Sequence, residues 1–315
     1  MLICPPTYGM YSVSAQVNDI AVVTVPLDVQ SRFALRPDAV NATLASDPLI
    51  KLIYLCSPGN PTGSLLDEHA IAKILAHESW NGIVVVDEAY IDFARSGNAS
   101  LAAWVTRFPN LVVLQTLSKA FGLAGARIGA AFAAEPVARL LNNLKAPYNI
   151  SGPTSQLARA ALSPSSLKIM RGRRDSLLRQ RDRLVDGLGR IPGVGRIVGG
   201  FDANFLLVEM LDRPITTANA AGDDTTGVPS NEVALSVYEG LAEKQGVVVR
   251  FRGKEHGCMG CLRITVGTGE EVDRCLAELR TVLERVYREC HRADNPDAIP
   301  AGSDAKAEDV SGVIA

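Results

Sequence analysis

Three features of the sequence predict a mostly parallel, doubly wound α/β sheet followed by a smaller α+β unit. Apolar stretches recur at 49–56, 82–86 and 111–114, without the alternation of a half-solvated strand. Helical patterns and short turn-rich links separate them, as crossovers between parallel strands require. Beyond Tyr148 the pattern changes to two helices, the second long and Arg-rich, and then to strands of an α+β kind.

In order, residues 2–4 read as the tail of a strand, cut short by Pro5 and Pro6, with a helix over 7–16 and a strand over 20–25. The strand at 49–56 runs into the turn-rich SPGNPTG. Residues 66–77 place Leu66, Ala70, Ile71, Ile74 and Leu75 at helical spacing. The strand at 82–86 ends in Asp87-Glu88-Ala89-Tyr90, and that at 111–114 in Gln115 and Thr116. A fifth strand is expected over 127–133, then a helix from Glu135 with Pro136 in its first turn. Helices follow at 153–162 and 164–188, and strands at 194–198 and 205–209. Residues 211–230 are polar and rich in Gly, Thr and Ala, which predicts an inserted flexible loop. Asn231 is expected to cap a helix to about residue 244. Strands at 247–251 and 261–266 and a final amphipathic helix over 270–290 complete the pattern. The expected division is a large domain at 1–150, a small α+β domain at 151–290 and a disordered tail at 291–315.

Composition narrows the function classes. The 315 residues are 47% hydrophobic and 21% charged, which suits a globular protein with a sizeable core. A net charge of −2 gives no bulk attraction to nucleic acid or to an anionic membrane. The arginines of the helix at 164–188 are interleaved with Asp175, Asp182 and Asp186, as on a solvated face. No apolar run approaches the ~20 residues of a bilayer span, and the N-terminus lacks the pattern of a signal peptide. An intracellular, cytoplasmic protein is therefore expected. Cys4 and Cys56 lie in apolar runs, as small buried thiols do. Cys258 and Cys261 form a C-x-x-C with no second ligand pair at zinc spacing, so no metal is expected.

Chemically capable groups stand where three strands end: Asn60, then Asp87 with Tyr90, then Lys119. Ligands in open α/β sheets bind beyond the carboxyl ends of the strands. Singly, these residues could be turn chemistry, a helix cap, a half-buried aromatic and a loop lysine. Together they form the set that holds a pyridoxal phosphate ring. The lysine amine condenses with the aldehyde, and the carboxylate keeps the pyridine nitrogen protonated. Amide and phenol donors can reach the ring oxygen, while Ser118 and Arg127 can hold the phosphate ester. Tyr8 is a candidate to stack on the ring. A dinucleotide-binding reading fails because no G-x-G-x-x-G follows a strand and opens a helix.

The motifs CPPTYGMYSVSA (4–15), CSPGNPTG (56–63), VVDEAYIDF (85–93), TLSKAFGLAGARIG (116–129) and CLRITVGT (261–268) carry a family resemblance. The chain resembles the class-II aminotransferase branch of the fold-type-I pyridoxal-phosphate enzymes. Within that branch it is most similar to the histidinol-phosphate aminotransferase family. The resemblance implies Lys119 as the Schiff-base lysine, Asp87 as the pyridinium partner, and Asn60 and Tyr90 on the ring oxygen. It also implies Ser118 and Arg127 on the cofactor phosphate, Tyr8 against the ring, and Arg250 and Arg263 on the anionic groups of the substrates. The implied cofactor is pyridoxal 5'-phosphate, and the implied assembly a homodimer. The implied reaction exchanges L-histidinol phosphate and 2-oxoglutarate for imidazole-acetol phosphate and L-glutamate in histidine biosynthesis. Another aminotransferase or a threonine-phosphate decarboxylase-like enzyme of the same fold, or an inactive fragment, are the alternatives. Relative to the family the chain is expected to be N-terminally truncated by about a hundred residues, including a helix whose N-terminus cradles the phosphate.

Overall fold

The computed structural model describes residues 1–97, 99–215 and 227–294. β1 (Leu2–Ile3), β2 (Val23–Thr24), β3 (Leu52–Cys56), β4 (Ile83–Asp87), β5 (Leu111–Thr116) and β6 (Gly129–Ala133) form one sheet. Its order is β2-β1-β3-β4-β5-β6. The first five strands are parallel, and β6 pairs antiparallel with β5. Parallel pairing needs crossovers, here α1 (Met10–Val17), α2 (Pro37–Ser46), α3 (Glu68–Leu75) and short 3-10 turns between β4 and β5. One face of the sheet packs Ile53, Leu55, Val84, Val86, Leu111 and Val113 against Val40 and Leu44 of α2 and Ile71, Ile74 and Leu75 of α3. On the opposite face, Tyr11 and Ala15 of α1 cover Met1, Ile3 and Cys56. Burial on both sides explains why β3, β4 and β5 read as continuous apolar runs.

The outer end of this sheet is different. Four of the five residues of β6 are exposed. The next helix, α4 (Glu135–Leu144), buries none of its residues.

After α5 (Gly152–Ala161) and α6 (Pro164–Leu188), a second sheet forms from β7 (Val194–Val198), β8 (Phe205–Met210), β9 (Arg250–Phe251) and β10 (Cys261–Thr265). Its order is β7-β8-β10-β9, antiparallel throughout. α7 (Asn231–Gln245) and α8 (Gly269–Asp294) flank it. Leu206, Val208, Leu262 and Ile264 join Val237, Leu241, Leu279, Leu283, Leu184 and Leu188 in one core. The alternate residues Leu207 and Cys261 face the first unit and belong to its core. The period of two in a strand thus lets β8 and β10 serve two cores.

Several expectations are refined. The strand expected over 20–25 contracts to β2, and that over 247–251 to β9. α2 went unforeseen, although Pro37 stands in its first turn. Ser230 caps α7, accepting from Val233 N, whereas Asn231 bonds Gly253 O and Gly260 N. The arginines of α6 are not all on a solvated face: Arg181 is buried, its Nη1 donating to Ala203 O. The loop expected over 211–230 has its ends bridged at Leu211 and Pro229, and its middle lies outside the described residues. Most of the tail expected from 291 also lies outside them.

Candidate active site

β3, β4 and β5 are neighbours, with Cys56 opposite Asp87 and Asp87 opposite Leu114. Adjacent strands lie about 4.8 Å apart, so groups just past their ends converge. Asn60 follows Cys56 by four positions, Tyr90 follows Asp87 by three, and Lys119 follows Leu114 by five.

Contacts tie these groups together. The Lys119 Nζ stands over the Tyr90 ring, 5.2 Å from its centroid. Tyr90 meets Phe205 edge-on at 5.0 Å, and the Arg263 guanidinium lies over Phe205 at 4.9 Å. Arg263 Nη1 donates to Asn60 Oδ1 at 2.6 Å, across 203 positions of sequence. One continuous chain therefore runs from Lys119 through Tyr90, Phe205 and Arg263 to Asn60.

The second unit supplies Arg263 because two tight turns lock it to the first. Gly200 N donates to Thr62 O and Asp202 N to Gly63 O, joining the NPTG turn to the β7–β8 turn. Gly199 (φ +80) leaves no room for a side chain, since a Cβ would stand 2.1 Å from Thr62 O.

Asp87 sits at the other side of the strand ends. Its Oδ2 accepts from the Tyr11 phenol at 2.7 Å and its Oδ1 from Ala89 N at 3.0 Å. Tyr8, half exposed, meets Tyr11 edge-on at 5.5 Å. Burial, and then Asp87, push the Cys56 thiol up to about 12, which keeps it a neutral neighbour of the carboxylate. Ser118 Oγ accepts from Thr116 Oγ1, and exposed Arg127 (φ +49) donates from Nη1 to Ala124 O.

Arg250 lies opposite Arg263 in register. Burial lowers the Arg263 guanidinium; Tyr90 and Glu255 raise it, while Arg252 and Arg250 lower it. Its Nε is buried without a partner, as is that of Arg252, which pairs with Glu255 through Nη1. An orphaned guanidinium nitrogen beside further cations fits an incoming anion. The amine, carboxylate, amide and phenol likewise match the donor and acceptor pattern of pyridoxal phosphate. Among the described residues no cluster could hold a metal ion, and Cys258 and Cys261 are buried free thiols.

Sequence reasoning missed Tyr11 and Phe205. Tyr11 could have been found from its spacing, because Tyr11 and Ala15 are one turn apart on the buried side of α1. Phe205 had no comparable signal.

With this geometry in hand, comparison with known proteins places the chain. The family described as aminotransferase class I and II matches residues 1–279, and the chain belongs to it. It is 51% identical to the histidinol-phosphate aminotransferase of Schizosaccharomyces pombe, over 91% of this chain and 71% of that protein. The protein of that name from Saccharomyces cerevisiae is 46% identical, over 92% and 70%. Among solved structures, the histidinol-phosphate aminotransferase of Clostridium acetobutylicum superposes with a TM-score of 0.76, at 20% identity, over 90% of this chain and 78% of that one. That of Sinorhizobium meliloti, in complex with pyridoxal-5'-phosphate, gives 0.75 at 22% identity, over 91% and 70%. These superpositions show that the chain shares the fold of those aminotransferases.

Proposed function

We propose that this chain transfers an amino group between L-histidinol phosphate and 2-oxoglutarate, giving imidazole-acetol phosphate and L-glutamate, a step of histidine biosynthesis. The observation that carries the reading is the placement of Asn60, Asp87, Tyr90 and Lys119 at or just past the ends of neighbouring strands, with Lys119, Tyr90 and Asn60 linked by contacts through Phe205 and Arg263. The 51% identity to a histidinol-phosphate aminotransferase selects the substrate.

When bound, pyridoxal 5'-phosphate supplies an aldehyde that holds the substrate amine and a ring that takes up carbanion charge. Lys119 would hold that aldehyde through its amine, and its Nζ would carry the substrate α-proton. Asp87 would accept from the ring nitrogen, and Asn60 and Tyr90 would donate to the ring oxygen. Ser118 and Arg127 would hold the cofactor phosphate, and Tyr8 would lie against the ring. Arg263 receives the carboxylate of one substrate and the phosphate of the other, with Arg250 beside it. Asn60 accepts from Arg263, which orients the guanidinium.

No helix among the described residues is long and apolar enough to cross a membrane. We place the enzyme in the cytoplasm and read it as a homodimer; exposed Leu140, Leu141 and Leu144 on α4 support the association.

Incubation with pyridoxal phosphate, borohydride reduction and peptide mapping tests the core of the proposal. The label is expected on Lys119, and Lys119→Ala should lower transamination by about a thousandfold or more. Label on another lysine would overturn the assignment. Assays against histidinol phosphate, aromatic amino acids and threonine phosphate decide the substrate.

A further inference from the structure

Asp87 is held by a group to which neither the family match nor the sequence reading gives a role. Tyr11 lies in the first turn of α1 with its ring buried against the sheet, and its hydroxyl donates to Asp87 Oδ2 at 2.7 Å. Ala89 N donates to the other oxygen at 3.0 Å. With one donor on each oxygen, the carboxylate cannot turn about its own axis without losing both bonds. Each oxygen keeps a lone pair, so the group remains an acceptor for an approaching N–H.

The donor is itself fixed. The Tyr11 ring is wedged between Tyr54, tilted by 30° at 4.8 Å, and Tyr8, edge-on at 5.5 Å. Burial first, then the adjacent Cys56 and Asp87, push the phenol far above its ordinary ionisation range, so it stays a neutral donor. A residue buried only to fill space would have no need of a hydroxyl aimed at a carboxylate at the strand end.

We propose that Tyr11 is a positioning residue, whose phenol fixes the Asp87 carboxylate in the orientation that meets the cofactor's ring nitrogen. This rests on the pyridoxal phosphate reading above. It predicts an effect carried by the ring nitrogen alone.

The test compares two ligands of the purified chain: pyridoxal 5'-phosphate, and its carbocyclic analogue with C–H in place of the ring nitrogen. Tyr11→Phe keeps the ring and removes one oxygen. Its dissociation constant for pyridoxal phosphate should rise about tenfold, while that for the analogue stays within about twofold. In an Asp87→Asn background the same substitution should change neither constant. Equal losses for both ligands, a loss undiminished in Asp87→Asn, or no loss at all would overturn the role. So would a Tyr11→Phe chain that fails to fold, because the hydroxyl would then serve the core. An unsubstituted chain that binds both ligands equally would instead refute Asp87 as the ring-nitrogen partner, and that failure is visible without any change at Tyr11.

Discussion

Asp87 and Glu88 are adjacent in sequence and face opposite sides of the sheet, because successive strand residues alternate. Asp87 meets Tyr11, whereas Glu88 turns away and accepts from Ser100 Oγ, Leu101 N and Gln115 Nε2. Burial raises Glu88 above the usual carboxylate range, against the pull of those three donors. Its folded form therefore holds a proton more tightly than its unfolded form. Stability is expected to fall as pH rises from the ordinary glutamate range through the raised folded value, and then to level off. Glu88→Gln should flatten that slope, as read by urea unfolding at a series of pH values. Glu88→Ala strands the buried Leu101 N–H and should cost about 2–3 kcal/mol at low pH, and less as pH rises through the raised folded value. At Arg263, a lysine keeps the charge but loses the planar fork that reaches both Asn60 and an anion. Arg263→Lys should raise the KM for 2-oxoglutarate about tenfold or more, with a smaller change in kcat, in steady-state assays.

Elements meet where small residues allow it. The β7–β8 turn approaches the NPTG turn so closely that Gly199 has no space for a methyl group, and its φ of +80 excludes one on conformational grounds as well. Gly199→Ala should destabilise by about 2–4 kcal/mol and loosen Arg263 from Asn60, seen as lower urea stability together with a raised KM. α6 presents a contrasting case. Arg181 is 2% exposed, and its Nε makes no hydrogen bond, with Asp182 Oδ1 4.0 Å away. Burial lowers this guanidinium, with Arg95 adding to the effect. A buried charge of this kind gives little net stability, while its long stem fills volume. Arg181→Met should therefore remain within about 1–2 kcal/mol of the parent, and Arg181→Ala should lose about 3 kcal/mol in denaturant titrations.

At the scale of the whole molecule, burial is uneven. The strands β1, β3, β4 and β5 are enclosed, yet β6 and α4 face outward with Leu140 57% and Leu144 76% exposed. Apolar surface beside an open strand edge favours association. Sedimentation should show self-association that weakens in Leu141→Lys/Leu144→Lys, with the far-ultraviolet spectrum unchanged. The sequence itself specified the strands that carry chemistry. β3, β4 and β5 are apolar on both faces and end in polar groups, a pattern that local periodicity registers without knowledge of neighbours. It likewise placed α6 and β7, whose bounds agree with the expected ones. The two-residue strands β2 and β9 were drawn too long because apolar residues continue past the point where a partner strand is present. Ser230 displaced Asn231 as the cap of α7 because Asn231 is taken up by Gly253 and Gly260, which the sequence places far from it. Composition and spacing thus determined which groups stand at the strand ends and what they can do. Only the tertiary structure decided that Arg263 reaches Asn60 and that Tyr11 holds Asp87. Pairings of that kind depend on how two sheets and a helix pack, and no local pattern encodes the distance between residues that the chain itself keeps apart.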